Sequence, residues 1–140
     1  MISFVSDSVE STEAFAQKLG SQIKGGTVIA YFGGLGMGKT AFTRGLAKGM
    51  GITADVASPT FAIVNDYGGN PPLVHFDMYK VESWDDLYSS GFFDYLDMGA
   101  VLAVEWSENI ENALPEDTVK VIIKQGQSEN ERIITVEGMD

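Results

Sequence analysis

Cysteine is absent from this 140-residue chain. That excludes a disulfide scaffold, a thiolate metal site and a cysteine nucleophile. Cations are scarce too: nine lysines and arginines stand against twenty acids, for a formal net charge of −11. The lysines, at positions 18, 24, 39, 48, 80, 120 and 124, are scattered, so no basic patch offers itself to a phosphate backbone. The summed field repels one at long range, and any service to RNA or DNA is expected to run through another protein. No apolar run approaches the length of a membrane span, and no basic segment followed by an apolar one opens the chain. A cytoplasmic protein with no membrane contact is therefore expected. The length suits a single domain, residues 1–140, with a real core.

What is present concentrates in one octapeptide. Gly33-Gly34-Leu35-Gly36-Met37-Gly38-Lys39-Thr40 is a complete G-x-x-x-x-G-K-[ST] phosphate-binding loop. The apolar run Thr27–Phe32 leads into it as a strand, and Thr40–Lys48 leads out as a helix, the order such a loop requires. Several backbone N–H groups must approach the phosphates together, and a Cβ at the glycines would obstruct that approach or the positive φ angles it needs. The first helical turn adds unpaired donors and the positive end of the helix dipole. Gly33, Leu35, Gly36, Met37, Gly38, Lys39, Thr40 and Ala41 are thus expected to line a nucleoside triphosphate. Lys39 would reach the β- and γ-phosphates, and the Thr40 hydroxyl would ligate Mg²⁺. A glycine-rich turn with a surface lysine is the plain alternative, and it does not account for all four fixed residues between these flanks.

The rest of the chain reads as an α/β fold. Ile2–Ser6 alternates as a short strand; apolar residues from Ser8 to Ile23 recur at helical spacing, with Ser8 or Ser11 as N-cap and Gly25-Gly26 as the stop. Strands are expected over Pro59–Tyr67 and Leu73–Asp77, joined as a hairpin through the turn Gly68–Pro72, and over Val101–Glu105, Thr118–Lys124 and Arg132–Glu137. A short helix falls near Ser83–Tyr88, followed by an aromatic stretch, Phe92–Tyr95. The sum is a P-loop NTPase-like mixed β-sheet, parallel at its core with antiparallel additions, flanked by helices.

Hydrolysis of a nucleotide needs a carboxylate near Mg²⁺ and a group that positions water. Asp77 and Glu105 each end an apolar strand, where ligands bind in open α/β sheets. Either can serve the metal and the other the water, and the sequence does not apportion the roles. Thr60, in Ser58-Pro59-Thr60, falls where phosphate-loop enzymes place a γ-phosphate-sensing threonine. His75 reads as a structural histidine outside the site, and Trp106 as a core-edge residue or a stacking platform. Arg44, one turn into the loop helix, is left open between the phosphates and the helix surface. No Asn-Lys pair exists for reading guanine, so ATP is favoured, and Asp66 in Asp66-Tyr67-Gly68-Gly69 looks incidental. A small-molecule kinase is the rival reading, but such enzymes clamp phosphate with several arginines, and only Arg44 and Arg132 exist. A nucleotide-gated binding module that hydrolyses poorly is a third.

Taken in order, Leu35–Thr40 with Phe42-Thr43-Arg44-Gly45-Leu46, Ser58-Pro59-Thr60-Phe61, His75-Phe76-Asp77-Met78-Tyr79 and Glu105-Trp106 resemble the TsaE (YjeE) family. These are bacterial P-loop ATPases of tRNA threonylcarbamoyladenosine biosynthesis, and the resemblance spans nearly the whole chain. It implies a small Mg-dependent ATPase, slow alone given the scarcity of arginines for a finger in cis, that helps modify adenosine 37 of tRNA without transferring the group itself, acting with the TsaD–TsaB pair and meeting tRNA through those partners. It implies Lys39 on the phosphates, Thr40 and Glu105 on Mg²⁺, Asp77 as the acid needed for hydrolysis and Thr60 in a switch-like segment. Adenine would lie near Ser6–Ser11, with Ser8 lining it and Arg132 contributing. Three departures from the family pattern stand out, and of these Met37 is expected to have little effect on nucleotide affinity. Ala41 stands where the family usually has threonine or serine, Met37 replaces a common alanine, and Lys80 replaces the usual arginine after Tyr79.

Overall fold

The computed structural model describes residues 1–33, 38–53, 64–78, 81, 83–105, 110 and 112–139. Eleven elements follow in chain order: β1 (Ile2–Ser6), α1 (Val9–Gly20), β2 (Val28–Phe32), α2 (Lys39–Gly49), β3 (Val64–Gly69), β4 (Pro72–Asp77), α3 (Trp84–Ser89), α4 (Phe92–Asp97), β5 (Val101–Glu105), β6 (Val119–Gln125) and β7 (Arg132–Glu137). The strands form one seven-stranded sheet in the order β1-β7-β6-β2-β5-β4-β3. Its centre is parallel, β6, β2, β5 and β4, while β1 on β7, β7 on β6 and β3 on β4 are antiparallel. The mixed sheet expected from the sequence is the one observed.

Alternation sorts the side chains between two faces. Ile29, Tyr31, Leu73, Val101, Ala103, Val121 and Ile123 point to the face covered by α1 and α2, where Ala16, Phe42 and Leu46 meet them. Val28, Val74, Phe76, Leu102 and Val104 point the other way, to Leu87 of α3 and Phe92 of α4. β5 is buried along its whole length because both faces are covered.

α1 begins where the sequence places its cap: the Ser8 side chain accepts a hydrogen bond from the Ser11 N–H at 3.0 Å. It stops at Gly20 rather than running to the Gly25-Gly26 pair. It closes in a turn, with the Ser21 N–H donating to the Gln17 carbonyl at 3.1 Å and the Gln22 N–H to the Leu19 carbonyl at 3.0 Å, and its last residue packs closely on α2. A Cβ at Gly20 would lie 2.5 Å from the Leu46 carbonyl oxygen, and Gly45 and Gly49 abut the Glu13 and Gln17 carbonyls as tightly. The hairpin turn is also shorter than expected. Gly68 and Gly69 remain in β3, which bulges there as the Asp66 carboxylate accepts from the Gly68 N–H at 2.9 Å. That contact gives Asp66 a structural role. Residues 59–63 of the expected strand lie outside the described residues.

Candidate functional site

β2 delivers the chain to the phosphate-loop motif at the carboxyl end of the parallel strands, and α2 carries it away. The two described motif glycines each have a steric reason. Gly33 has φ 146°, and a Cβ there would sit 2.6 Å from the Ile123 carbonyl oxygen. Gly38 caps α2 at φ 99°, in left-handed backbone, with no side-chain hydrogen bond to the first-turn amides. The first turn of α2 thus starts without a side-chain cap from its N-cap residue. Leu35, Gly36 and Met37 lie outside the described residues.

Lys39 is the first residue of α2 and is only 7% exposed. Its carbonyl accepts from the Thr43 hydroxyl at 2.9 Å, and Thr43 Oγ1 lies 2.7 Å from the Tyr31 hydroxyl. With its own proton committed to Lys39, Thr43 accepts from Tyr31. This chain ties the first turn of α2 to the strand beneath it. Burial pushes the Tyr31 phenol far up; the Thr43 hydrogen bond offsets part of this, and the Glu105 carboxylate adds to it. Tyr31 therefore stays a neutral donor.

Asp77 and Glu105 are register partners at the ends of the neighbouring strands β4 and β5. The Met78 N–H donates to the Glu105 carbonyl at 3.0 Å and locks the two ends together. Both side chains share the α2 face by parity with Ala103. Glu105 ends the strand that borders β2, whereas Asp77 lies one strand further out. The structure also brings in a residue that the sequence alone places outside the site. His75, the single histidine, is fully buried, and its Nε2 lies 2.7 Å from Glu105 Oε2. The pair is close but misaligned: neither His75 nitrogen nor Glu105 Oε2 completes a hydrogen bond of good geometry. Spacing carried a signal, because His75 is two residues before Asp77 on one strand and so shares its face.

A cleft of about 340 Å³ adjoins the start of α2, lined by Asp7, Ser8, Val9, Thr12, Gly38, Ala41, Asn130 and Arg132, among others. It brings Ser8, Gly38, Ala41 and Arg132, distant in sequence, onto one surface, and its volume is that of a small-molecule pocket. Arg132 is held on its rim by hydrogen bonds to the Glu129 and Glu131 carbonyls at 2.7 and 3.0 Å. Arg44 is turned elsewhere, onto Glu13 of α1 at 3.3 Å, and Lys48 joins the same carboxylate at 3.6 Å. Thr60 with its Ser58–Phe61 segment, Tyr79, Lys80 and Trp106 lie outside the described residues. Among the described residues no three His, Cys, Asp or Glu side chains cluster as a metal cage, and no helix is long and apolar enough to cross a membrane.

A parallel core with a glycine–lysine turn between β2 and α2 defines a P-loop NTPase-like α/β protein. Residues 6–134 match the family described as "Threonylcarbamoyl adenosine biosynthesis protein TsaE". The chain belongs to the TsaE family, which functions in tRNA threonylcarbamoyladenosine biosynthesis. Its relatives include the TsaE protein of Bacillus subtilis, 40% identical over 131 residues that cover 92% of this chain and 82% of the relative. The Treponema pallidum protein of the same name is 34% identical over 120 residues, covering 86% and 89%. The crystal structure of Bacillus subtilis YdiB superposes with a TM-score of 0.79 at 34% identity, covering 96% of this chain and 83% of that one.

Proposed function

We propose that this chain binds Mg·ATP at the β2–α2 turn and hydrolyses it slowly, as a cytoplasmic component of the tRNA threonylcarbamoyladenosine machinery that works with the TsaD–TsaB pair. The observation that carries this reading is a juxtaposition at one end of the sheet. Gly33, Gly38 and buried Lys39 stand beside the Ser8–Arg132 cleft, and Asp77 and Glu105 end adjacent strands on the same face.

The residues suit both groups. The first-turn amides of α2, without a side-chain cap, and the Lys39 ammonium supply donors and charge for phosphate oxygens. The cleft lined by Ser8, Ala41 and Arg132 takes the nucleoside. Mg²⁺ prefers a hydroxyl, a carboxylate and phosphate oxygens to an all-protein cage, which fits Thr40 with Glu105, whose Oε2 has no aligned donor among the described residues. When bound, the metal neutralises charge that develops on the phosphates. Asp77 orients a water for attack on the γ-phosphorus; the bond to the ADP oxygen breaks, and inorganic phosphate leaves. With Arg44 engaged by Glu13, no described arginine is free to act as a finger in cis, and slow turnover follows.

The test is Mg·ATP hydrolysis by the purified chain, alone and with the TsaD–TsaB pair of the same organism. Weak activity that rises with the pair supports the reading. Activity unmoved by the pair but stimulated by a metabolite acceptor would replace it with a small-molecule kinase.

A further inference from the structure

The outer surface of α3 and α4 exposes aromatic rings that the core does not use. Trp84 is 54% and Tyr88 63% exposed, one turn apart on α3. Both meet the half-buried ring of Phe93 on α4: Trp84 stacks on it at 6.4 Å, and Tyr88 approaches to 4.8 Å. Three aromatics sharing one exposed surface is the composition of an interaction hot spot rather than of scattered surface residues. The same two helices carry exposed Asp85, Asp86, Asp94 and Asp97, and residues 83–98 contain no lysine or arginine. Asp97 follows Phe93 by one helical turn and so borders the rings directly.

This charge selects the occupant. A second copy docking by two-fold symmetry would set the patch against itself, four carboxylates against four. Phosphate backbones and anionic lipid surfaces are repelled for the same reason. A protein surface with lysines and arginines around an apolar recess satisfies both the rings and the acids. We propose that the α3–α4 surface docks such a basic protein surface. On the function proposed above, on which this part rests, the surface belongs to the TsaD–TsaB pair. The position suits coupling to the site, since α3 opens shortly after Asp77 on the same stretch of chain.

The experiment measures binding of the full chain to the purified TsaD–TsaB pair, with ATP affinity and self-association followed in parallel. Two variants are compared with the parent: Trp84→Ala with Tyr88→Ala, and Asp94→Lys with Asp97→Lys. The ring variant is expected to bind the pair roughly 30-fold more weakly or worse, as loss of hot-spot aromatics does. The charge variant is expected to associate more slowly and to lose most of its salt dependence. ATP affinity should stay at the parent value in both, since none of the four residues lines the cleft. If the parent binds the pair and both variants bind as well as it does, the docking face lies elsewhere while the function stands. If the parent does not bind the pair yet hydrolyses ATP, the partner reading and this proposal fall together. Loss of self-association in the ring variant, with binding to the pair intact, would overturn the proposal in favour of a second copy.

Discussion

The two faces of the sheet are built differently. Beneath α1 and α2 the core is threaded with polar groups: Ser6 with Thr12, Lys39, Thr43, His75 and Glu105 are all buried on this side. Beneath α3 and α4 the described buried side chains are apolar, with Phe76 and Phe92 edge to face at 5.6 Å and Tyr95 against Phe76 at 5.9 Å. Buried polar groups cost free energy unless satisfied, and an apolar core of the same shape is the safer solution. The α3–α4 side takes that solution. The α1–α2 side does not, and it is the side that holds the motif lysine and both strand-end acids. The polar cost is therefore borne on the face of the proposed chemistry, and the opposite face holds the sheet together.

The largest effect that separates the faces should come from Phe92→Ala. Its ring is fully buried between Phe76 and Phe93, and truncation leaves a cavity that costs about 3–5 kcal/mol of unfolding free energy. Denaturant titration reads the loss, and the folded fraction should keep its ATP affinity. A matching loss of ATP affinity would mean that the faces are not separable. Glu105→Gln should do the reverse, lowering turnover by roughly 100-fold, about 2.7 kcal/mol of barrier, while folding and ATP binding persist. Unchanged turnover would remove Glu105 from the proposed machinery.

Gly45→Ala comes next and acts on the α1–α2 contact. Its methyl would meet the Glu13 carbonyl and the Ala16 side chain. Forcing it in should cost about 1–3 kcal/mol and weaken ATP binding as well, because α1 carries one wall of the cleft and α2 the other. A stability loss with ATP affinity intact would show that the cleft does not depend on that helix spacing. His75→Leu is expected to be milder, lowering turnover about tenfold, or about 1.4 kcal/mol. It removes the group 2.7 Å from the Glu105 carboxylate and leaves the apolar surroundings filled. Turnover equal to the parent's would reduce His75 to a filler of the core.

Local chemistry is readable wherever one short segment specifies it. The Ser8 cap, the strand Val101–Glu105 and the glycine–lysine loop with its flanks carry their own signals, so the mixed sheet and both strand-end acids can be placed from sequence. What depends on a second segment is not readable. Gly20 must be glycine because Leu46, far along the chain, occupies the space that a side chain there would need. Arg44 has two open destinations until Glu13 is seen to lie across the helix pair. For His75, parity gives a face but not a neighbour; only the parallel register of β4 on β5 puts Glu105 beside it. Asp66 shows the converse, a motif-like Asp-x-x-Gly that the bulge of β3 accounts for.

Tyr31→Phe should have the smallest effect, and it tests whether the polar face is sealed. Below about pH 10 the parent is expected to be the more stable by about 1 kcal/mol, the worth of the hydrogen bond to Thr43. The phenol ionises near pH 10 in the unfolded chain but is held neutral in the folded one by burial, by more than the Thr43 bond offsets, with help from the Glu105 charge. Above that pH the folded state binds the extra proton, so this residue lowers stability by about 1.4 kcal/mol for each further pH unit. The Phe variant lacks that slope. The parent's advantage should thus shrink above about pH 10 and reverse near pH 11, read by denaturant titration of both proteins across this range. Parallel curves would mean that Tyr31 ionises as readily folded as unfolded. Water would then reach the floor of the site, and the contrast between the two faces would lose its physical basis.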